Sequence, residues 1–373
     1  MKFRKFLLYF LATICLIIPD VYSQVNYNTF DKLTGIAKKF LVAKNQLLVN
    51  GYADTNMENH LLTADYLKEA RSQSKKILIR RRLLVDAGQD YSDFQTKLTV
   101  KETNINKSLA FLTISEYTVL RLYKSDIDPL APRTTEYVQD HLFTFVSDMN
   151  KNWKLYSDKL INMPTPVIPK VGERPINIDI ETTLADNYYT PDDHSNTKLE
   201  YIENEIQNNI LTKKYTINKT VIVNYAYKYW KKYNTNYKKF SKDCTNFVSQ
   251  AVDNGGWPFV YGWYRSSNVW FYWGWKQSWT WAGAHNWYRF IKKKRRGYIA
   301  KYFNQMQKGD ILQVDFNRDG HIDHSMIVTK KDSSKTIYLT YHTNNTKDRS
   351  IKDILSKYPR AKYYGWRLYA SFK

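Results

Sequence analysis

The run Asp243-Cys244-Thr245-Asn246-Phe247-Val248-Ser249-Gln250 holds one of two cysteines in the chain; the other, Cys15, lies in an apolar N-terminal stretch. If that stretch is removed as a secretion signal, Cys244 has no partner for an intramolecular disulfide, and an exported chain carries a lone thiol. Its place suits chemistry. Asp243 is a favoured N-cap, so a helix can begin with Cys244 in its first turn. The helix dipole there favours the thiolate, and free backbone N–H groups can receive an oxyanion. The competing reading is a small buried apolar residue, the usual state of a free cysteine.

A nucleophilic thiol also needs a base. His324 heads Ser325-Met326-Ile327-Val328-Thr329, which reads as a strand, and Thr336 to Thr343 reads as the next. Asp332, Ser333 and Ser334 form the turn between them. An odd number of loop residues puts His324 opposite His342, with Asn344 on the same face; an even number turns both away. In the first case His342 or Asn344 could fix the tautomer of His324. His321 is a rival base in a loop, and His285 a lesser candidate for substrate contact. His60 and His141 stand isolated and read as ordinary surface or core residues.

Just before His324, Asp315-Phe316-Asn317-Arg318-Asp319-Gly320-His321-Ile322-Asp323 fits the start of a calcium loop. Asp315, Asn317, Asp319 and Asp323 supply the oxygens, and Met326 stands where a full loop has a bidentate Glu. A polar β-turn with Gly320 in the left-handed region is the alternative. Calcium would be structural, with no cofactor required for catalysis.

Between Trp257 and Trp287 the chain is dense in Trp and Tyr without sustained alternation, which reads as a long ordered insert. Most of these rings are expected to pack on one another, with a few lining a substrate groove. Asp243, Trp257 and Trp263 are the residues expected at the substrate. Lys292 to Arg296 reads as a solvated basic helix end.

These residues need a scaffold. Residues 1–23 have the n-region, apolar core and cleavage site of a signal peptide, and no later segment is apolar enough to span a membrane. From Asp31 to Gly88, Leu33, Ile36, Phe40 and Leu47 recur at helical spacing. Residues 94–103, 108–123, 135–149 and 153–159 then alternate as long strands. Residues 24–162 are therefore read as an α+β domain, a helix on a curved antiparallel sheet. That element order resembles the cystatin and NTF2-like folds. A proline-rich polar linker spans 163–200, and residues 201–373 form the second domain, also α+β. There, residues 220–232 and the segment from Cys244 to Gly255-Gly256 read as helices, with Phe247, Val248, Ala251 and Val252 as a buried stripe.

Charge adds a location. The chain has 57 Lys+Arg against 35 Asp+Glu, a formal net charge of +22. For an exported protein this favours peptidoglycan or another anionic cell-wall polymer over nucleic acid, through attraction that salt screens. The mature chain is expected outside the cytoplasm, associated with the cell wall.

Five blocks in order carry a resemblance: DCTNFVSQ, Gly255-Gly256-Trp257-Pro258, KGDILQVDF, DHSMIVT and YHTNN. From Tyr215 to Phe372 the chain resembles the putative amidase domain family, of the papain-like group that includes NlpC/P60 and CHAP domains. The resemblance implies a cysteine helix packed on a small antiparallel sheet. It implies Cys244 as nucleophile, His324 as base and proton donor to the leaving amine, and His342 or Asn344 as the orienting residue. The activity implied is hydrolysis of an amide bond, with peptidoglycan as the expected substrate. A protease, deamidase or transacylase using the same dyad, or a non-catalytic wall-binding module, are the alternatives.

Overall fold

The computed structural model describes residues 28–53, 61–161, 215–274 and 276–372. The expected signal peptide, the linker at 163–200 and His60 lie outside these residues. The chain is mixed α+β with a mostly antiparallel arrangement of strands. It forms two compact units that interleave along the sequence. Segments 79–95 and 117–139, read from sequence as part of the N-terminal domain, belong to the second unit.

The first unit takes its helices from residues 28–50 (α1) and the N-terminal part of Ala64–Asp86 (α2). Its strands are residues 96–105 of Tyr91–Ile105 (β1), 109–116 of Leu109–Leu122 (β2), 140–147 of Thr134–Ser147 (β3), and Trp153–Leu160 (β4); the remaining parts of β1, β2 and β3 belong to the second unit. The α1 stripe Leu33, Ile36, Ala37 and Leu41 is buried against Ala110, Leu112 and Ile114, alternate residues of β2, and against Phe143 and Phe145 of β3. Helical and strand periodicities thus meet in one core. His141 lies inside this unit, 2.7 Å from Asp158 Oδ1 and 3.1 Å from Glu116 Oε2.

The second unit is built on Gly297–Ile299 (β5), Ile311–Asp315 (β6), His324–Lys331 (β7), Ile337–Tyr341 (β8), Thr346–Ser350 (β9) and Lys362–Leu368 (β10). Their order is β9-β8-β7-β6-β10-β5, every pair antiparallel. Glu136 and Tyr137 of β3 pair with Lys347 and Thr346 of β9. Helices Lys219–Tyr229 (α3), Cys244–Asn254 (α4), Trp279–Ala282 (α5) and Ala284–Lys294 (α6) precede the main strands, and Ile351–Lys357 (α7) follows β9.

Alternation along the strands divides two cores. Ile311, Ile327 and Trp366 pack with Phe247, Val248, Ala251 and Val252 of α4. Leu312, Val314, Met326, Val328 and Leu339 pack on the opposite face with Ile354 and Leu355 of α7. Each such large apolar side chain contributes about 1.5–3 kcal/mol through burial. Gly256 ends α4 at φ +105°, and a Cβ there would lie 2.8 Å from the Thr216 carbonyl oxygen. Glycine is required on both counts.

Candidate active site

Cys244 is the first residue of α4 and is 5 % exposed. Asp243 occupies the N-cap position without capping the helix through its side chain. Its Oδ1 accepts from Phe240 N and Asn246 Nδ2, both at 2.9 Å, and its Oδ2 lies 2.6 Å from His342 Nδ1. The expected side-chain cap is therefore replaced by a buried brace, and Asp243 leaves the N–H groups of the first turn uncapped. Asp243 itself is fully buried, so it does not contact substrate as expected from the sequence.

The thiol faces the Ser325 backbone N–H and lies 3.7 Å from Thr245 Oγ1. Burial pushes the Cys244 thiol up, against the pull of the Ser325 N–H and Thr245. Desolvation outweighs the helix-start effect anticipated from sequence. Thr245 Oγ1 lies 2.9 Å from Ser325 Oγ, which accepts from Gln313 Nε2 at 3.0 Å. Gln313 Oε1 in turn accepts from Trp366 Nε1 at 3.0 Å. This buried polar chain holds α4 to β7, β6 and β10. Sequence reasoning missed Ser325 and Gln313; both alternate with core residues, Ile327 and Ile311, on the α4 face.

His324 takes the other face. Its ring lies 5.0 Å from Tyr341 and 6.1 Å from Phe316 by centroids, among the residues packed with α7. Burial alone pushes its imidazole down to about 4. No hydrogen bond joins it to Cys244 among the described residues. Its backbone nonetheless adjoins the thiol, because the next residue, Ser325, turns its N–H to Cys244 Sγ.

A β-bulge changes how His324 faces His342. The loop between Lys331 and Ile337 has five residues, an odd number that would set His324 opposite Asn344 and on one face with His342. The register then shifts, because Lys330 pairs with Tyr338 but Val328 pairs with Leu339. Thr329 is the extra residue, and its Oγ1 lies 2.8 Å from both Thr340 Oγ1 and Asp348 Oδ1. One inserted residue reverses the facing of everything beyond it. β8 ends at Tyr341, and His342 stands in the turn that follows, where Thr343 and Asn344 have φ of +61° and +65°.

His342 accordingly sits on the α4 side, stacked 4.0 Å from Phe247, with Nε2 2.8 Å from the Tyr229 carbonyl oxygen. Both of its nitrogens are engaged, so it does not orient His324. Asn344, at φ +65°, shares a cleft with His324. His285 and His321 stack at 4.4 Å, and His285 Nδ1 accepts from Ile322 N at 3.4 Å.

In the Asp315–Asp323 loop, Asp315 Oδ2 accepts from Gly320 N at 2.9 Å, while buried Asp315 Oδ1 has no hydrogen-bond partner among the described residues. Asp319 accepts from His321 N, and Asp323 from Phe316 N. Asn317 Nδ2 donates to Asp319 Oδ2. Among the described residues no three His, Cys, Asp or Glu side chains gather as a metal-holding group.

The aromatic insert divides as well. Trp257 is buried in parallel stacking with Trp287 at 5.7 Å, so it is core rather than substrate contact. Trp270 and Trp281 are fully buried and tied to α4, Trp270 Nε1 donating to Ser249 Oγ and Trp281 Nε1 to Asn246 Oδ1. Trp263 is 67 % exposed and remains available to a ligand. Trp275 lies outside the described residues.

The second unit thus carries a helix-borne cysteine on an antiparallel sheet, and the comparisons find an amidase-like domain over the same part of the chain. Residues 216–366 match the family model described as "Putative amidase domain". That match supports an amidase-type hydrolase domain acting on carbon–nitrogen bonds. The chain is 29 % identical over 182 residues to the uncharacterized protein YhbB of Bacillus subtilis (strain 168), covering 46 % of this chain and 56 % of YhbB. It is 34 % identical over 133 residues to the uncharacterized protein YjcM of the same organism, covering 32 % of this chain and 29 % of YjcM. It thus spans about half or less of these relatives. No solved structure matches the chain.

Proposed function

We propose that the second unit is a cysteine amidohydrolase with Cys244 as nucleophile. The observation that carries this reading is the placement of Cys244 at the first position of α4, on a domain that matches an amidase model. The thiol would attack an amide carbonyl, the uncapped N–H groups of the first turn would hold the oxyanion, and water would release the acyl-enzyme. The reading is supported by the position of Cys244 more than by a histidine base, since no hydrogen bond joins His324 or His342 to the thiol among the described residues.

Peptidoglycan is the substrate proposed, in an exported, wall-associated protein. A net charge of +22 and the exposed Trp263 support attraction to an anionic glycan–peptide polymer. No cofactor is proposed for catalysis. Calcium is proposed as a structural ion in the Asp315–Asp323 loop, supported by the unpartnered Asp315 Oδ1.

The test is incubation of purified peptidoglycan with wild type and with Cys244→Ala, followed by mass analysis of released fragments. New fragments with free amines or carboxylates from the wild type alone are expected. Identical fragment profiles would remove the wall-hydrolase reading and leave a wall-binding module.

A further inference from the structure

The cleft that His324 enters lies on the sheet face opposite α4 and has about 450 Å³ of empty volume, open mouth included. Its walls include His324, Tyr341, Asn344, Arg349, Lys357 and Tyr358. The charges around it do not balance. Asp353, fully buried, receives Arg80 Nε and Nη2 at 2.6 and 2.7 Å, Arg349 Nε at 2.7 Å and Tyr91 OH at 2.8 Å. One carboxylate thus faces two guanidinium groups. Arg349, only 7 % exposed, also gives Nη1 to Tyr341 OH at 3.3 Å. Its Nη2 meets no acceptor among the described residues.

Lys357 stands beside this surplus. Its ammonium packs 5.2 Å from the Tyr358 ring centroid and has no hydrogen-bond acceptor among the described residues. Burial, then Arg349 and Arg80, push it down to about 7. Among the described residues the His324 ring makes no hydrogen bond either. Lys357 is half-buried at the cleft, and a positive surplus at such a partly enclosed surface attracts an anion more strongly than it would in open water.

We propose that this cleft is a binding site for a small oxyanion, a carboxylate or phosphate group, held by Lys357 and the free edge of Arg349 with His324 against it. Planar guanidinium and mobile ammonium are the usual pair for such groups. The site rests on its own geometry and stands whether or not Cys244 cleaves amides. The cleft adjoins the nucleophile's support, since its wall residue Thr343 accepts from Asp243 N and His324 directly precedes Ser325, whose N–H meets the thiol; the assignment is of binding alone.

The experiment titrates acetate, and separately inorganic phosphate, into the full chain at constant ionic strength set with sodium chloride. The His324 ring resonances report occupancy by NMR. A saturable shift is expected with at least one oxyanion, and the arm that saturates identifies the group. Lys357→Met should weaken its affinity about tenfold or more, and Lys357→Arg should restore it. Circular dichroism confirms that each variant is folded. If neither oxyanion shifts His324 beyond the chloride control, or Lys357→Met binds as the wild type does, the proposal is wrong.

Discussion

Asp243 Oδ2 lies 2.6 Å from His342 Nδ1, so the residue directly before Cys244 is fastened to the segment that follows β8. The same junction is closed a second time, where Asp243 N donates to Thr343 Oγ1 at 3.1 Å. The position of the thiol is therefore set by the turn that follows β8. His342→Ala should leave the Asp243 carboxylate buried without its imidazole and cost about 3 kcal/mol. Urea unfolding measures this, and an unchanged midpoint would show that the brace carries no stability.

Cys244 should be a slow thiol at neutral pH. Burial raises its pKa, so the thiolate fraction grows only above the ordinary thiol range. Alkylation by iodoacetamide should lag behind that of a free cysteine peptide at pH 7 and accelerate as pH rises. Cys244→Ser should abolish the label. A rate at pH 7 above that of the peptide would contradict the dominance of desolvation.

In the first unit, burial opposes the charge on His141, but Asp158 and Glu116 raise its pKa to about 9. The folded value exceeds the unfolded one, so the stabilisation is complete below about pH 6.5 and is lost as pH rises to about 9. It amounts to about 3 kcal/mol at most. Wild-type stability should fall across this window by that margin more than His141→Gln stability does. Parallel profiles would exclude the imidazolium.

Asp353 offers the opposite sign. Burial works against its charge, yet Arg349 and Arg80 hold the carboxyl well below the usual carboxylate range. Asp353→Asn would leave both guanidinium groups unbalanced and should cost about 3–5 kcal/mol, read as a lowered Tm. Full retention of Tm would mean that the remaining polar contacts suffice.

Dialysed protein should gain Tm on addition of millimolar calcium, and Asp315→Asn should remove the gain, because Asp315 Oδ1 is the buried oxygen without a partner. No calcium-dependent change in the wild type would leave the loop as a hydrogen-bonded turn.

Much of this molecule was legible in the chain. The stripe Phe247, Val248, Ala251 and Val252 repeats at helical spacing, and all four side chains are fully buried on α4. The long strands of the N-terminal half alternate as they read, and Gly255-Gly256 closes α4. These are local properties, fixed by side-chain period and by the conformations glycine permits. The nucleophile candidate was legible for the same reason, because a helix start has a sequence signature.

What the sequence did not determine was which side chains meet. Five loop residues suggested one facing for His324, and a single bulge at Thr329 imposed the other. That bulge is held by Thr340 and Asp348, contacts made by neighbouring strands and absent from any local pattern. Asp243 read as a helix cap until tertiary structure gave it His342, and Trp257 read as a substrate contact until packing gave it Trp287. Periodicity sets which elements form. Register and long-range partners, which depend on residues far apart in the chain, decided where the chemistry of Cys244 and His324 lies.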